Sequence, residues 1–487
     1  MFATLIAAAP FVTVIALIAS RRAGVLASGV IGWLLAIGGA ALLRPDLADL
    51  PHFALVESLK GGWIAWQAVA VMLAGMFFYR TIRRHEAALF ETSGSTTAFS
   101  HRRLFAICFL ISPFAESATG FGVGCIIAAA ALLRMGISGV PAVVLALFSQ
   151  ILVPWGALGV GTIIGAHVSG QDEIALAFAS ALLSWPLLFG YLAVYWRAAA
   201  AAGHPVPTGQ RIDDAVWTGA LCLALAAASR VVAAELGCIA ACGGLLVLRH
   251  LRDERPDWAA LRHAAGSAAP YAALSLVLIA TRVVPPLTHG LKAVLVFAPF
   301  ADLPGFAALY NPSFWLIAVA LGFLFSMARG RALGEIGPLL AETARSGWRP
   351  ALITLLFITT AQIVAAAGGA RLIGDALHAA LGPATLLAAP LLGGIGGFLT
   401  GSGGASNGMM MPVEAVMGAG TGLWPAALQN TAACNFSLLS PIRVSMALAL
   451  AAPTADEGTV YRAARPIAVM LCLVLLGEAA VLLATGR

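Results

Sequence analysis

Long apolar runs separated by short polar breaks fill the chain from end to end. Twelve runs, mostly of about 17–25 residues, each match the thickness of a bilayer core and predict transmembrane helices. They lie at roughly 3–20, 25–43, 62–79, 140–168, 174–196, 215–229, 231–248, 268–284, 313–328, 350–366, 424–451 and 466–484. Two further runs, about 104–134 and 383–418, are as apolar but interrupted. The first carries Ser112-Pro113-Phe114-Ala115-Glu116-Ser117-Ala118-Thr119-Gly120-Phe121-Gly122-Val123-Gly124, and the second Gly397-Phe398-Leu399-Thr400-Gly401-Ser402-Gly403-Gly404-Ala405-Ser406-Asn407-Gly408. Glycine and proline free backbone groups that lipid cannot satisfy, and a carboxylate at bilayer depth costs roughly 2.5–3.5 kcal/mol on insertion scales. Such breaks are tolerable only where they are buried in protein or line a polar cavity. Both are read as re-entrant hairpins, entering and leaving on one side.

The interruptions correspond. A shift of 284 residues puts Phe114 on Phe398, Gly120 on Gly404 and Gly124 on Gly408. Glycine-broken apolar segments at corresponding places in two halves point to a transporter binding site. The reading is therefore one transmembrane domain over 1–487, with a first repeat at about 62–196, a second at about 350–484 and connecting spans at about 215–328. The fold class is an all-α polytopic membrane protein: about twelve transmembrane helices plus two re-entrant hairpins in an inverted-topology repeat.

Composition fits this pattern and excludes others. Of 487 residues, 60% are hydrophobic and 10% charged, against about 25% charged in a soluble domain. The net charge of +6 comes almost wholly from arginine, with Lys60 and Lys292 the only lysines. Most arginines cluster in alternate loops, at 21–22, 80–103, 249–262, 329–349 and 462–465. By the positive-inside rule these loops face the cytoplasm, which puts the N-terminus outside and makes the two hairpins enter from opposite faces. The first run is apolar from Met1, and Arg21 and Arg22 follow it, the reverse of a cleaved leader. No basic patch on a soluble fold speaks for nucleic acid. The seven cysteines lie in apolar runs without metal spacing, and no phosphate loop, dinucleotide fingerprint or nucleophile triad is visible. The chain is read as a membrane carrier, not an enzyme, with no cofactor and no metal. A homo-oligomer is left open.

Glu116 is the candidate proton-coupling residue, since desolvation disfavours the charged form of a carboxylate and suits it to proton exchange near neutral pH. The other reading is a structural carboxylate accepting backbone N–H bonds at the hairpin tip. Candidate substrate contacts are Ser117, Thr119, Gly120, Gly122 and Gly124 at the first tip and Thr400, Gly401, Ser402, Gly403, Ser406 and Asn407 at the second. Glycines let backbone approach a ligand, and helix starts offer N–H groups to an anion. The runs after each hairpin are also broken, at Pro154 and Pro441, where Asn430, Thr431, Ser440 and Arg443 are the candidates. Arginine can grip a carboxylate with two parallel bonds; the alternative partner for Arg443 is a carboxylate of the protein, Glu116 or Glu414. Elsewhere, Arg230 and Glu235 are expected to pair, and an interfacial helix is expected around Leu291–Phe300.

Phe114-Ala115-Glu116-Ser117-Ala118-Thr119-Gly120-Phe121-Gly122 resembles the Phe-x-Glu-x-x-x-Gly-Phe-Gly segment of the bacterial lactate permease family. Pro154-Trp155-Gly156-Ala157-Leu158-Gly159, Phe398-Leu399-Thr400-Gly401-Ser402 with Ser406-Asn407, and Asn430-Thr431 followed by Ser440-Pro441 are similar in the same order. Ser437 and Ile442 depart from the family pattern, which often has a lysine before Ser-Pro and a glutamine after it. The resemblance implies a secondary carrier that imports lactate, glycolate or a related 2-hydroxy monocarboxylate with protons, by alternating access, with the anion held between the hairpins. A sodium-coupled carrier for another small organic anion is the alternative.

Overall fold

The computed structural model describes the chain except residues 21, 48, 91–98, 121, 329–331, 415–421 and 487, and the side chains of 85–90 and 414. Arg21, Arg329 and Arg331 of the charge pattern, Phe121 of the first tip, the Glu414 side chain and the end of the second hairpin lie outside the described residues.

In lipid every backbone N–H and C=O must be satisfied within its own segment, and the chain meets this with helices. The first half runs α1 (Phe2–Ala19), α2 (Val25–Leu43), α3 (Leu50–Phe90), α4 (His101–Ala106), a π-turn over Ile107–Ile111, α5 (Ser112–Thr119), α6 (Val123–Arg134), α7 (Gly139–Ala146), α8 (Gly156–Ser169) and α9 (Glu173–Ala201). Next come α10 (Thr208–Val231), α11 (Gly237–Asp253), α12 (Trp258–Val283), α13 (Pro285–Ala293), the two-residue strands β1 (Val296–Phe297) and β2 (Phe306–Ala307), and α14 (Pro312–Met327). The second half runs α15 (Ala332–Ala366), α16 (Gly369–Leu381), α17 (Ala388–Thr400), α18 (Gly403–Glu414), α19 (Leu423–Ser437), α20 (Pro441–Ala451) and α21 (Glu457–Ala484). Among the described residues eleven helices are long and apolar enough to cross a membrane, or twelve with the bent α7–α8 pair as one span.

The total agrees with the sequence reading, but the members differ. At 16 residues α14 is short for a span. A helix absent from the sequence reading, α16, occupies the place of an expected outer loop; it carries Arg371, Asp375 and His378, and these polar residues hide it from hydropathy. The expected helix at Leu291–Phe300 is corrected as well. α13 ends at Ala293, and Val296–Phe297 pairs with Phe306–Ala307 as an antiparallel ribbon. Glu235 is bonded to Arg282 at 2.9 Å rather than to Arg230. The turn at Ala234–Leu236 aims the glutamate inward, where the Arg282 side chain is 1% exposed, whereas Arg230 is exposed.

Two long helices form the frame. α3 and α15 pack along each other, Glu57 meeting Gln362, Gly61 meeting Thr359, and Arg80 meeting Glu342. Rising numbers on one meet falling numbers on the other, so the pair is antiparallel. The elements after α3 recur in order after α15. The limb 101–119 is matched by 382–400, and the 12 residues of α6 by the 12 of α18. The broken pair α7–α8 is matched by α19–α20, and the 29 residues of α9 by the 28 of α21. The turns themselves fall at Thr119-Gly120 and Thr400-Gly401, an offset of 281 rather than 284 residues. In both, the threonine hydroxyl donates to the carbonyl four residues back (Ala115, Gly396) and the glycine has positive φ.

Candidate functional site

The first hairpin is closed by its own carboxylate. α6 begins without a capping side chain from its N-cap, Gly122, which is left-handed at φ 85°. Glu116 supplies the cap instead. Gly122 N–H donates to both carboxylate oxygens at 3.0 Å, and Gly124 N–H donates to Oε2 at 3.0 Å. A carboxylate on the first N–H groups of a helix is favoured by charge-assisted bonds and by the helix dipole. Glu116 is 3% exposed. Its spacing explains the motif: the glutamate sits in the last turn of one limb, and the glycines after it give a turn tight enough to return the Gly122 and Gly124 N–H groups to it.

The remaining charge is met by Arg443 in the first turn of α20. Its Nη1 lies 3.3 Å from Glu116 Oε1, across 327 residues of sequence. Its Nε donates to Gly401 O at 3.4 Å, the carbonyl exposed by the end of α17. One guanidinium thus joins the tips of both hairpins. Ser440, the N-cap of α20, accepts Arg443 N–H and lies against the Gly401 turn. Thr400 and Ser402 satisfy the second tip: Ser402 N–H donates to Thr400 Oγ1, and Ser402 Oγ accepts Ala405 N–H.

The break in the α7–α8 span is paid for by side chains from both hairpins. The chain bends by 51° there, and Ala157, Leu158 and Gly159 adopt left-handed backbone. The carbonyls so released are each taken up: Trp155 O by Ser117 Oγ, Pro154 O by Thr162 Oγ1, Gly161 O by Asn407 Nδ2. Asn407 also donates to Asn430 Oδ1 at 2.7 Å, and Asn430 Nδ2 donates to Thr162 and Ser180. Ser406 donates to Gly393 O, and Gly403 packs on Cys434.

The predicted residues therefore form two groups. Glu116, Gly120, Gly122, Gly124, Gly401, Ser440 and Arg443 surround the ion pair, with Thr119, Thr400 and Ser402 shaping the two turns. Asn407 and Asn430 form a buried amide centre that Ser117 does not reach. Thr431 is buried with its Oγ1 unpartnered, as are Asn407 Oδ1 and both side-chain polar atoms of Gln429. Buried polar atoms without partners are rare, and a ligand is one of their ordinary explanations. Sequence reasoning missed Thr162 and Ser180. Their signal was a hydroxyl within an apolar span, the residue type that bridges membrane helices.

Gly120 is a sharp test of this packing. Its φ is 72°, and an added Cβ would lie 2.5 Å from Ala157 Cβ. Gly120→Ala is expected to lower the thermal midpoint and abolish uptake. Gly136→Ala, at φ 79° with no atom within 4 Å, adds only the left-handed backbone cost of about 1–2 kcal/mol. Unfolding midpoints of the two variants in detergent check this; equal values would contradict the close contact.

No curated protein matches the chain. A family model described as L-lactate permease does, and that family is one of transporters rather than enzymes. Its match covers residues 296–485, a stretch that holds the α17–α18 hairpin, the broken α19–α20 span and Arg443, and over that stretch the chain is similar to the family.

Proposed function

We propose that the chain imports a small 2-hydroxy monocarboxylate, of lactate or glycolate type, together with protons. It works by alternating access in a bacterial cytoplasmic membrane with its N-terminus outside. The observation that carries this reading is the shared guanidinium: Arg443 holds Glu116 of one hairpin and the Gly401 carbonyl of the other. A monocarboxylate offers Arg443 the same pair of oxygens that Glu116 does. When Glu116 takes a proton it gives up its charge and its claim on Arg443, and the substrate carboxylate replaces it with two parallel bonds. The site then keeps its net charge. An anion without the proton, or a proton without the anion, leaves a buried charge unpaired at a cost of about 3–5 kcal/mol. That penalty is the coupling.

The polar atoms of Thr400 and Ser402, on the Gly401 turn that Arg443 contacts, are the source of bonds to the 2-hydroxyl group. The order of elements after α3 and after α15, and the antiparallel run of those two helices, support an inverted repeat in which the two hairpins enter from opposite faces. A second reading has one specific support: the buried, uncharged and unpartnered oxygens Asn407 Oδ1 and Thr431 Oγ1 are of the kind that suits a sodium ion, coupled to another small organic anion.

Uptake of labelled lactate and glycolate into proteoliposomes, inside alkaline and free of sodium, separates these readings. The expected result is accumulation that tracks the pH gradient. Uptake that requires sodium and ignores pH would favour the second reading, and no uptake of either acid by folded protein would overturn the substrate class.

A further inference from the structure

Away from the hairpins, a cavity of about 480 Å³ is lined by Arg102, Gly209, Gln210, Asp213, Arg252 and Arg255. Three cations from three places in the chain converge on it: the start of α4, the end of α11 and the residue two beyond that end. Asp213 is already answered, because Arg252 grips it with both terminal nitrogens at 2.6 and 2.7 Å. Among the described residues Arg102 has one loose ion-pair partner, Asp253 at 3.7 Å, and Arg255 has none. The wall thus has two arginine charges in excess. α10 opens beside them behind Pro207, which supplies no side-chain cap, and the space beside Gly209 is open. Arginine charge and the uncapped N–H groups of a long helix favour the same ligand, a phosphate-type anion.

The setting selects the kind of anion. From the cavity wall, α10 continues through Ile212 and Val216, 63% and 64% exposed, and α11 runs back through Leu251 and Leu248, 46% and 58% exposed. Trp258, 72% exposed, comes just past Arg255. Exposed apolar side chains at this density belong against acyl chains. A basic pocket where such faces end is the arrangement that holds acidic lipid headgroups.

We propose that this cavity binds the phosphate headgroup of an anionic membrane phospholipid, whose acyl chains lie along the Ile212–Val216 and Leu248–Leu251 faces. Because Arg102 belongs to α4, the lipid would clamp the base of the limb that carries Glu116 to α10 and α11.

The test uses the full chain in neutral detergent, titrated with short-chain phosphatidylglycerol, with phosphatidylcholine of the same chain length and with inorganic phosphate, and read by native mass spectrometry. Phosphatidylglycerol is expected to bind at least tenfold more tightly than phosphatidylcholine. Arg102→Gln and Arg255→Gln are each expected to weaken it by about fivefold, the fold-change that corresponds to roughly 1 kcal/mol per basic residue at a membrane surface. Equal binding of the two lipids by the wild type, or unchanged phosphatidylglycerol binding by the double variant, would overturn the proposal. Inorganic phosphate binding as tightly as phosphatidylglycerol would keep an arginine site for phosphate and overturn the lipid assignment. The wild-type comparison of lipids stands even if a variant fails to fold.

Discussion

Glu116→Gln protein is expected to lose pH-driven accumulation of substrate by at least tenfold while retaining substrate exchange across the membrane. Glutamine keeps one oxygen for the Gly122 and Gly124 N–H groups, so the tip can still close. It carries no charge for Arg443, and it cannot take up a proton. Arg443 is then free for a substrate carboxylate at every pH, which permits exchange and removes the proton from the cycle. The lost charge-assisted bonds weaken the native state by about 3 kcal/mol, the low end for a broken buried pair, because the Arg443 side chain is still 12% exposed. A lower unfolding midpoint with exchange preserved would agree. Loss of exchange together with accumulation, in folded protein, would reduce Glu116 to the structural cap that its three backbone bonds describe.

The second large effect lies in the packing behind the second tip. Gly393 and Gly397 of α17 sit on the backbone of α19. A Cβ at Gly397 would lie 1.9 Å from Ala433 O, and one at Gly393 would lie 2.4 Å from Gln429 O. Glycines four apart let membrane helices approach to backbone contact. No side chain can move to admit the extra carbon, so Gly397→Ala must push two helices apart. Overpacking costs typically 1–3 kcal/mol and more where the backbone must move. Gly397→Ala is expected to give little folded protein after detergent extraction, and what folds should unfold early. Gly62→Ala, with nothing within 4 Å of the new carbon, is expected to behave as wild type. Size-exclusion profiles and thermal midpoints check both; a wild-type midpoint for Gly397→Ala would contradict the contact.

The breaks were legible because backbone irregularity in a membrane is written in glycine and proline. Both hairpins and both broken spans were found that way. Helix extents were less legible. α3 begins at Leu50 and reaches Phe90, well beyond the apolar stretch 62–79, because its polar ends are satisfied by α15 through pairs such as Arg80 with Glu342. Hydropathy does not see such partners. The register between the halves was read three residues off, since identities drew Gly120 to Gly404 while the turn geometry pairs it with Gly401. The ion pair could be named only as one of two alternatives for Arg443. Its partner is 327 residues away, and only the meeting of the hairpins decides it. Asn407 and Asn430 were visible as polar residues in apolar runs, but Thr162 and Ser180, which hold Asn430, were not.

The central claim is that substrate displaces Glu116 from Arg443 as Glu116 takes a proton. Proton uptake on substrate binding measures this directly, using purified protein in weak buffer near neutral pH and a pH indicator, with binding followed in parallel by calorimetry. Lactate or glycolate binding is expected to draw up to one proton per chain from solution in the wild type and none in Glu116→Gln. Substrate binding to the wild type with no proton uptake at any pH between about 6 and 8 would contradict it.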